Sequence, residues 1–131
     1  MTAGPDVEAV EAVLEEFYAA FERLDMDRMA ACWSHDDDVR CIHPGADLIE
    51  GWPKVSRSWA AVFVSSPGMQ FFLTDTSIHV DGDQAVVTCT ENVLSGEELA
   101  SGKVLATKVL RRSGPGQPWR LVLHHASPVL R

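Results

Sequence analysis

The chain has 131 residues, 46% of them hydrophobic and 23% charged, with a formal net charge of −8. That length fits one domain with its own core, and the composition excludes a disordered chain. The acidic balance argues against attraction to nucleic acid or to an anionic membrane.

A long amphipathic helix is expected first, with Asp6 as its N-cap and Val7, Val10, Val13, Leu14, Phe17, Tyr18, Phe21 and Leu24 recurring at helical spacing. Its glutamates, Glu8, Glu11, Glu15, Glu16 and Glu22, fall mainly on the opposite, solvated side. Asp25 or Asp27 caps a second helix over 26–32, with Met29 and Trp33 facing inward. Residues 39–43 read as a strand in which Val39, Cys41 and His43 share one face. A loop over 44–50 leads to Gly51 and to a third helix with Pro53 in its first turn and an apolar stripe of Val55, Trp59, Val62 and Phe63. From Met69 the period becomes alternating. Strands follow up to the Asp81-Gly82 turn and over 84–94, 102–112 and 119–127, arranged as an antiparallel meander.

Helices segregated from an antiparallel sheet define an α+β domain, a curved sheet wrapped around three N-terminal helices. The whole of 1–131 reads as one such domain. Phe17, Phe21, Trp33, Trp59 and Phe63, with Tyr18, are placed to line a cavity at its open end. Cys32, Cys41 and Cys89 have no CxxC spacing and read as reduced core residues. No apolar run reaches the roughly 18 residues of a membrane span, and the start lacks the pattern of a secretory leader. A soluble cytoplasmic protein is therefore expected.

The segment 17–45, FYAAFERLDMDRMAACWSHDDDVRCIHPG, resembles the opening of the nuclear transport factor 2 (NTF2) superfamily. The pieces Gly51-x-x-x-Val55-x-x-Ser58-Trp59, Cys41-Ile42-His43-Pro44-Gly45 and the ending over 119–128, WRLVLHHASP, are similar to its SnoaL-like subgroup. The resemblance implies a cone-shaped α+β roll of cystatin-like type. It is shared by ketosteroid isomerases, scytalone dehydratases and SnoaL-like cyclases. Aligned on the Pro turn, His43 takes the place of the isomerases' aspartate base, and Tyr18 that of their oxyanion tyrosine. Their second oxyanion acid falls near Thr107. A neutral imidazole still serves as a base near pH 7.

Glu91 interrupts an apolar strand, so it is exposed, paired with Lys108 or Lys103, or functional. His124 and His125 are adjacent and point to opposite faces. Alternation with Leu121, Leu123 and Ser127 favours His125 as the inward one. No HxH or HxxxH spacing supports a metal site, and neither a metal nor a cofactor is expected. The expected ligand is a small apolar or aromatic, carbonyl-bearing compound, contacted by Phe17, Phe21, Trp33, Cys41, Trp59, Phe63, Glu91, Thr107 and His125. His43 and Tyr18 would perform isomerase, cyclase or dehydratase proton transfer. The alternative is a non-catalytic association module. A homodimer through the outer sheet face is expected in either case.

Overall fold

The computed structural model describes residues 4–96 and 100–130. Helix α1 (Pro5–Arg23) buries Val10, Leu14, Phe17, Tyr18 and Ala20 on one stripe. It starts one residue before Asp6, with Gly4 at the N-cap and Pro5 in the first turn. Asp6 is therefore not the cap. It pairs instead with Arg112, Nη1 to Oδ1 at 2.7 Å. Arg112 also donates to Asp83 at 2.9 Å and lies over the Trp119 ring, which ties the start of α1 to two strand ends.

Leu24 adopts the left-handed conformation, φ 53°, and ends α1. Asp25 then caps α2 (Met26–Cys32) by accepting from the Arg28 amide at 3.1 Å. Strand β1 (Arg40–Ile42) follows, then the two-residue strand β2 (Ile49–Glu50), which lies within the expected loop. Helix α3 (Trp52–Ser65) opens after Gly51, whose φ of 86° favours glycine and whose amide reaches the Val39 carbonyl. Four strands complete the chain: β3 (Met69–Asp81), β4 (Gln84–Ser95), β5 (Ala100–Arg111) and β6 (Arg120–Pro128).

The sheet order is β2-β1-β6-β5-β4-β3. The meander from β3 to β6 is antiparallel as expected, but β1 joins β6 in parallel, so the sheet is mixed. The reason is connectivity: β1 and β6 are far apart in sequence, and no hairpin constrains their direction. The α+β roll with three helices against one curved sheet otherwise stands. Irregular pairing between Thr74 and Ser77 in β3, and between Val109 and Leu110 opposite β6, bends the sheet. The core lies between its inner face and the helices, with Phe17, Met29, Trp33, Val55 and Trp59 fully buried. Cys32, Cys41 and Cys89 are free and buried.

Candidate functional site

An apolar cavity of about 560 Å³ opens between α3, the end of α1 and the inner face of β3 to β6. Phe21, Trp59, Val62, Phe71, Val93 and Val104 give it apolar walls, and His43, Glu91 and His124 are polar groups set into them. Each polar group arrives from a different element. β1 carries the chain to His43, the inward parity of β4 places Glu91, and that of β6 places His124.

His43 follows β1 on the same face as buried Cys41, and its ring meets the Trp59 ring edge-on at 4.7 Å. Its Nε2 lies 2.9 Å from Ser58 Oγ, and Ser58 donates its own hydrogen to the Val55 carbonyl at 2.7 Å. Ser58 has one hydrogen and has given it away, so it accepts from His43 Nε2–H. Nδ1 is then the ring's acceptor; the Cys41 sulfur lies 3.6 Å from Nε2 and 4.0 Å from Nδ1. Burial pulls the His43 pKa down from its usual value, which favours the neutral ring. Burial also pushes the Cys41 thiol up to about 12, so it remains protonated.

Tyr18 is engaged elsewhere. Its hydroxyl donates to Glu91 Oε2 at 2.5 Å and accepts from Lys108 Nζ at 2.6 Å. Lys108 is fully buried and Glu91 is 4% exposed, and their charged atoms stand 3.6 Å apart. Lys108 also lies over the rings of Phe17 and Tyr18, at 4.5 and 4.7 Å from their centres. Burial, then the neighbouring Glu91, drives the Tyr18 pKa far up, so the phenol keeps its proton. Burial lowers the Lys108 pKa, with Glu91 as the largest opposing influence. With its single hydrogen on Glu91, Tyr18 has none for a ligand beside His43, and the cavity walls do not include it. The expected His43–Tyr18 pairing gives way to a Lys108–Tyr18–Glu91 chain.

Two expected contacts are corrected. His125 is exposed and His124 is the inward histidine, 2% exposed, against Phe17 and Trp59. Leu121 faces inward as expected, but Leu110 pairs with Leu121 while Val109 pairs with Leu123. Val122 is thus an extra residue, and the bulge reverses the parity beyond it. Thr107 pairs with His125 on the outer face, and the next residue, Lys108, turns inward. Among the other expected ligand contacts, Phe21, Trp59 and Glu91 line the cavity. Phe17, Trp33, Cys41 and Phe63 are packed in the core behind it. Glu91 is both buried and paired with Lys108, which lies four residues along β5 from its ladder partner Val104.

Sequence reasoning did not give Lys108 or Ser58 a site role. A lysine within the otherwise mostly apolar run over 104–110, VLATKVL, was the available signal for the first. His124 Nδ1 is buried without a hydrogen-bond partner, and burial, reinforced by Lys108, holds its pKa well below the usual imidazole value. Among the described residues, no group of three or more His, Cys, Asp or Glu side chains is placed to hold a metal ion. No described helix is long and apolar enough to cross a membrane.

A profile of the SnoaL-like domain matches residues 10–131. Among solved structures, a candidate dehydratase of the NTF2-like family from Streptomyces avermitilis is 43% identical over 96% of this chain and 97% of its own, with a TM-score of 0.87. A candidate calcium/calmodulin-dependent protein kinase type II association domain from Thiobacillus denitrificans is 36% identical over 92% and 94%, with a TM-score of 0.84. The F-box protein SKIP8 of Arabidopsis thaliana is 29% identical over 93% of this chain, which spans about half (50%) of that protein's length. A candidate ketosteroid isomerase from Shewanella frigidimarina, 16% identical with a TM-score of 0.76, shares the fold. On this match of sequence and architecture, the chain belongs to the SnoaL-like domain family, with the NTF2-like, cystatin-like fold.

Proposed function

We propose that this protein binds an apolar, carbonyl-bearing compound in the cone cavity and moves a proton on it, as an isomerase, cyclase or dehydratase does. The observation that carries the reading is His43. Its Nε2–H is committed to Ser58, its Nδ1 is left as acceptor, and burial favours the neutral ring. Nδ1 takes a proton from the carbon beside the carbonyl, and the resulting imidazolium gives it back. Returned to another carbon, the proton completes an isomerisation. Returned to a β-hydroxyl, it releases water. The 43% identical relative, a candidate dehydratase, supports the second outcome.

The test is turnover on a panel of two-ring β-hydroxy ketones and β,γ-unsaturated ketones, comparing wild type with His43→Gln. Glutamine keeps a hydrogen bond to Ser58 but cannot cycle a proton. Turnover should fall by about 10²- to 10⁴-fold, the usual weight of a general base, with the thermal midpoint little changed. Unchanged turnover would eliminate the base.

A second reading rests on the outer face of the sheet, where Phe72 and Leu105 are 59% and 53% exposed. We infer that this face joins two copies of the chain. The 36% identical relative is a candidate association domain, which supports the reading. The cavity lies on the opposite face, so the two roles are compatible.

A further inference from the structure

Two hydroxyl groups behind the cavity wall have no hydrogen left to offer. The Tyr18 hydrogen is on Glu91 and the Ser58 hydrogen is on the Val55 carbonyl. Both the Tyr18 bond and the Lys108 contact fall on one oxygen of Glu91, Oε2. Among the described residues, Oε1 has no hydrogen-bond partner, and Glu91 is part of the cavity wall. Behind Oε2 stand the Tyr18 hydroxyl and the Lys108 ammonium, which hold the carboxyl group in place.

We propose that Glu91 selects ligands by a hydroxyl group, Oε1 accepting the hydroxyl hydrogen, while Lys108 acts through Tyr18 as a positioning residue that holds the carboxylate against the cavity. The inference rests on the cone cavity being the ligand site, and it narrows the ligand class to an apolar ring system bearing a hydroxyl. An ionised carboxylate has acceptors and no donor. A ketone or ether oxygen brought to the same place would face it with no hydrogen between them. An alcohol of the same body would satisfy both partners. In a β-hydroxy ketone, Glu91 then fixes the hydroxyl and leaves the adjoining C–H to His43.

Three probes with one body separate these cases: 1-tetralol, 1-tetralone and 1-methoxytetralin, titrated calorimetrically into the whole protein. On wild type the alcohol should bind about tenfold or more tightly than the other two, as a hydrogen bond to a charged acceptor warrants. In Glu91→Gln the amide oxygen stays on Tyr18 and the NH₂ turns to the cavity, so the preference should reverse towards tetralone. Lys108→Met tests the positioning role: with Tyr18 no longer held from behind, the alcohol preference should shrink severalfold while tetralone and methoxytetralin bind as they do to wild type. A purely structural lysine would change the three affinities together or leave all of them unchanged. Should Lys108→Met not fold, the isosteric Glu91→Gln still decides. Equal binding of the three probes to wild type, or an unchanged preference in Glu91→Gln, would overturn the inference and leave the cavity reading standing. No binding of any probe would overturn both.

Discussion

His43 and His124 occupy a position that a histidine reaches at the expense of its own charge. His124 is buried among Phe17, Trp59 and Lys108, and its folded pKa lies well below the value of 6.5 expected in the unfolded chain. His43 is lowered in the same direction by burial. Below pH 6.5 the unfolded chain therefore binds protons that the folded chain refuses, so stability is full above that pH and is lost on acidification towards the folded values. Within that window the buried His124 should contribute a slope of up to about 1.4 kcal/mol per pH unit, and the partly buried His43 a smaller one. Urea unfolding between pH 7 and 5 should show the midpoint falling, and His124→Gln should flatten the curve by roughly one histidine's share. A pH-independent midpoint across this range in wild type would contradict the burial argument. The same desolvation explains why Tyr18 and Lys108 occur together with Glu91. Any one of the three alone would leave a polar group without a partner in the core.

At the scale of the element, caps and bulges decide where these residues point. The α2 cap was legible only as Asp25 or Asp27, since two aspartates precede the same apolar run; the structure selects Asp25, which accepts from the Arg28 amide. Asp25→Ala should lower stability by about 1 kcal/mol, and Asp27→Ala, which removes no observed cap bond, by less than about half that. Equal losses in urea unfolding would show that the cap is not what holds α2. The long strands and their order after Met69 were legible because each alternates over several consecutive residues on either side of any irregularity. A single inserted residue is not legible in this way. Val122 looks like any strand valine, yet its bulge exchanges the faces of His124 and His125. Thr107 was misplaced by one residue for a related reason, because an aligned turn fixes β1 but not the register of β5. Asp6 looked like a cap because its partner Arg112 lies 106 residues away, a distance over which pattern carries no information. Of the aromatics expected around the cavity, Phe21 and Trp59 line it, beside His43, and Phe17, Trp33 and Phe63 pack behind it, because helical spacing gives the buried stripe but not its depth. Pairing of Glu91 with Lys108 was one of the alternatives legible in the sequence, but the place of Tyr18 between them needs three elements in register.

For the molecule as a whole, the sheet divides two environments. Its inner face meets α1 and α3 and forms the cavity, and its outer face carries no element of this chain among the described residues. The ladder pairs Val86 with Val109, Thr88 with Thr107 and Thr107 with His125, so these side chains form a continuous stripe across β4, β5 and β6. Leu105 and Phe72 extend it towards the end of the sheet at which the cavity opens. β-branched and apolar side chains at this density are characteristic of a covered surface, and a second copy presents the same stripe by symmetry. A stable dimer needs roughly 800 Å² from each partner, an area that a four-stranded face can supply. Sedimentation at micromolar concentration should therefore give a dimer. The double variant Val86→Glu/Leu105→Glu places like charges across the symmetry axis and should sediment as a monomer with an unaltered circular dichroism spectrum. Because the cavity lies on the other face, the monomeric variant should still bind 1-tetralol, with an affinity within about threefold of wild type if no partner residue completes the site. A wild-type monomer would remove the dimer. A dimeric variant would move the interface elsewhere. Loss of tetralol binding on dissociation would instead show that the second copy shapes the cavity's mouth.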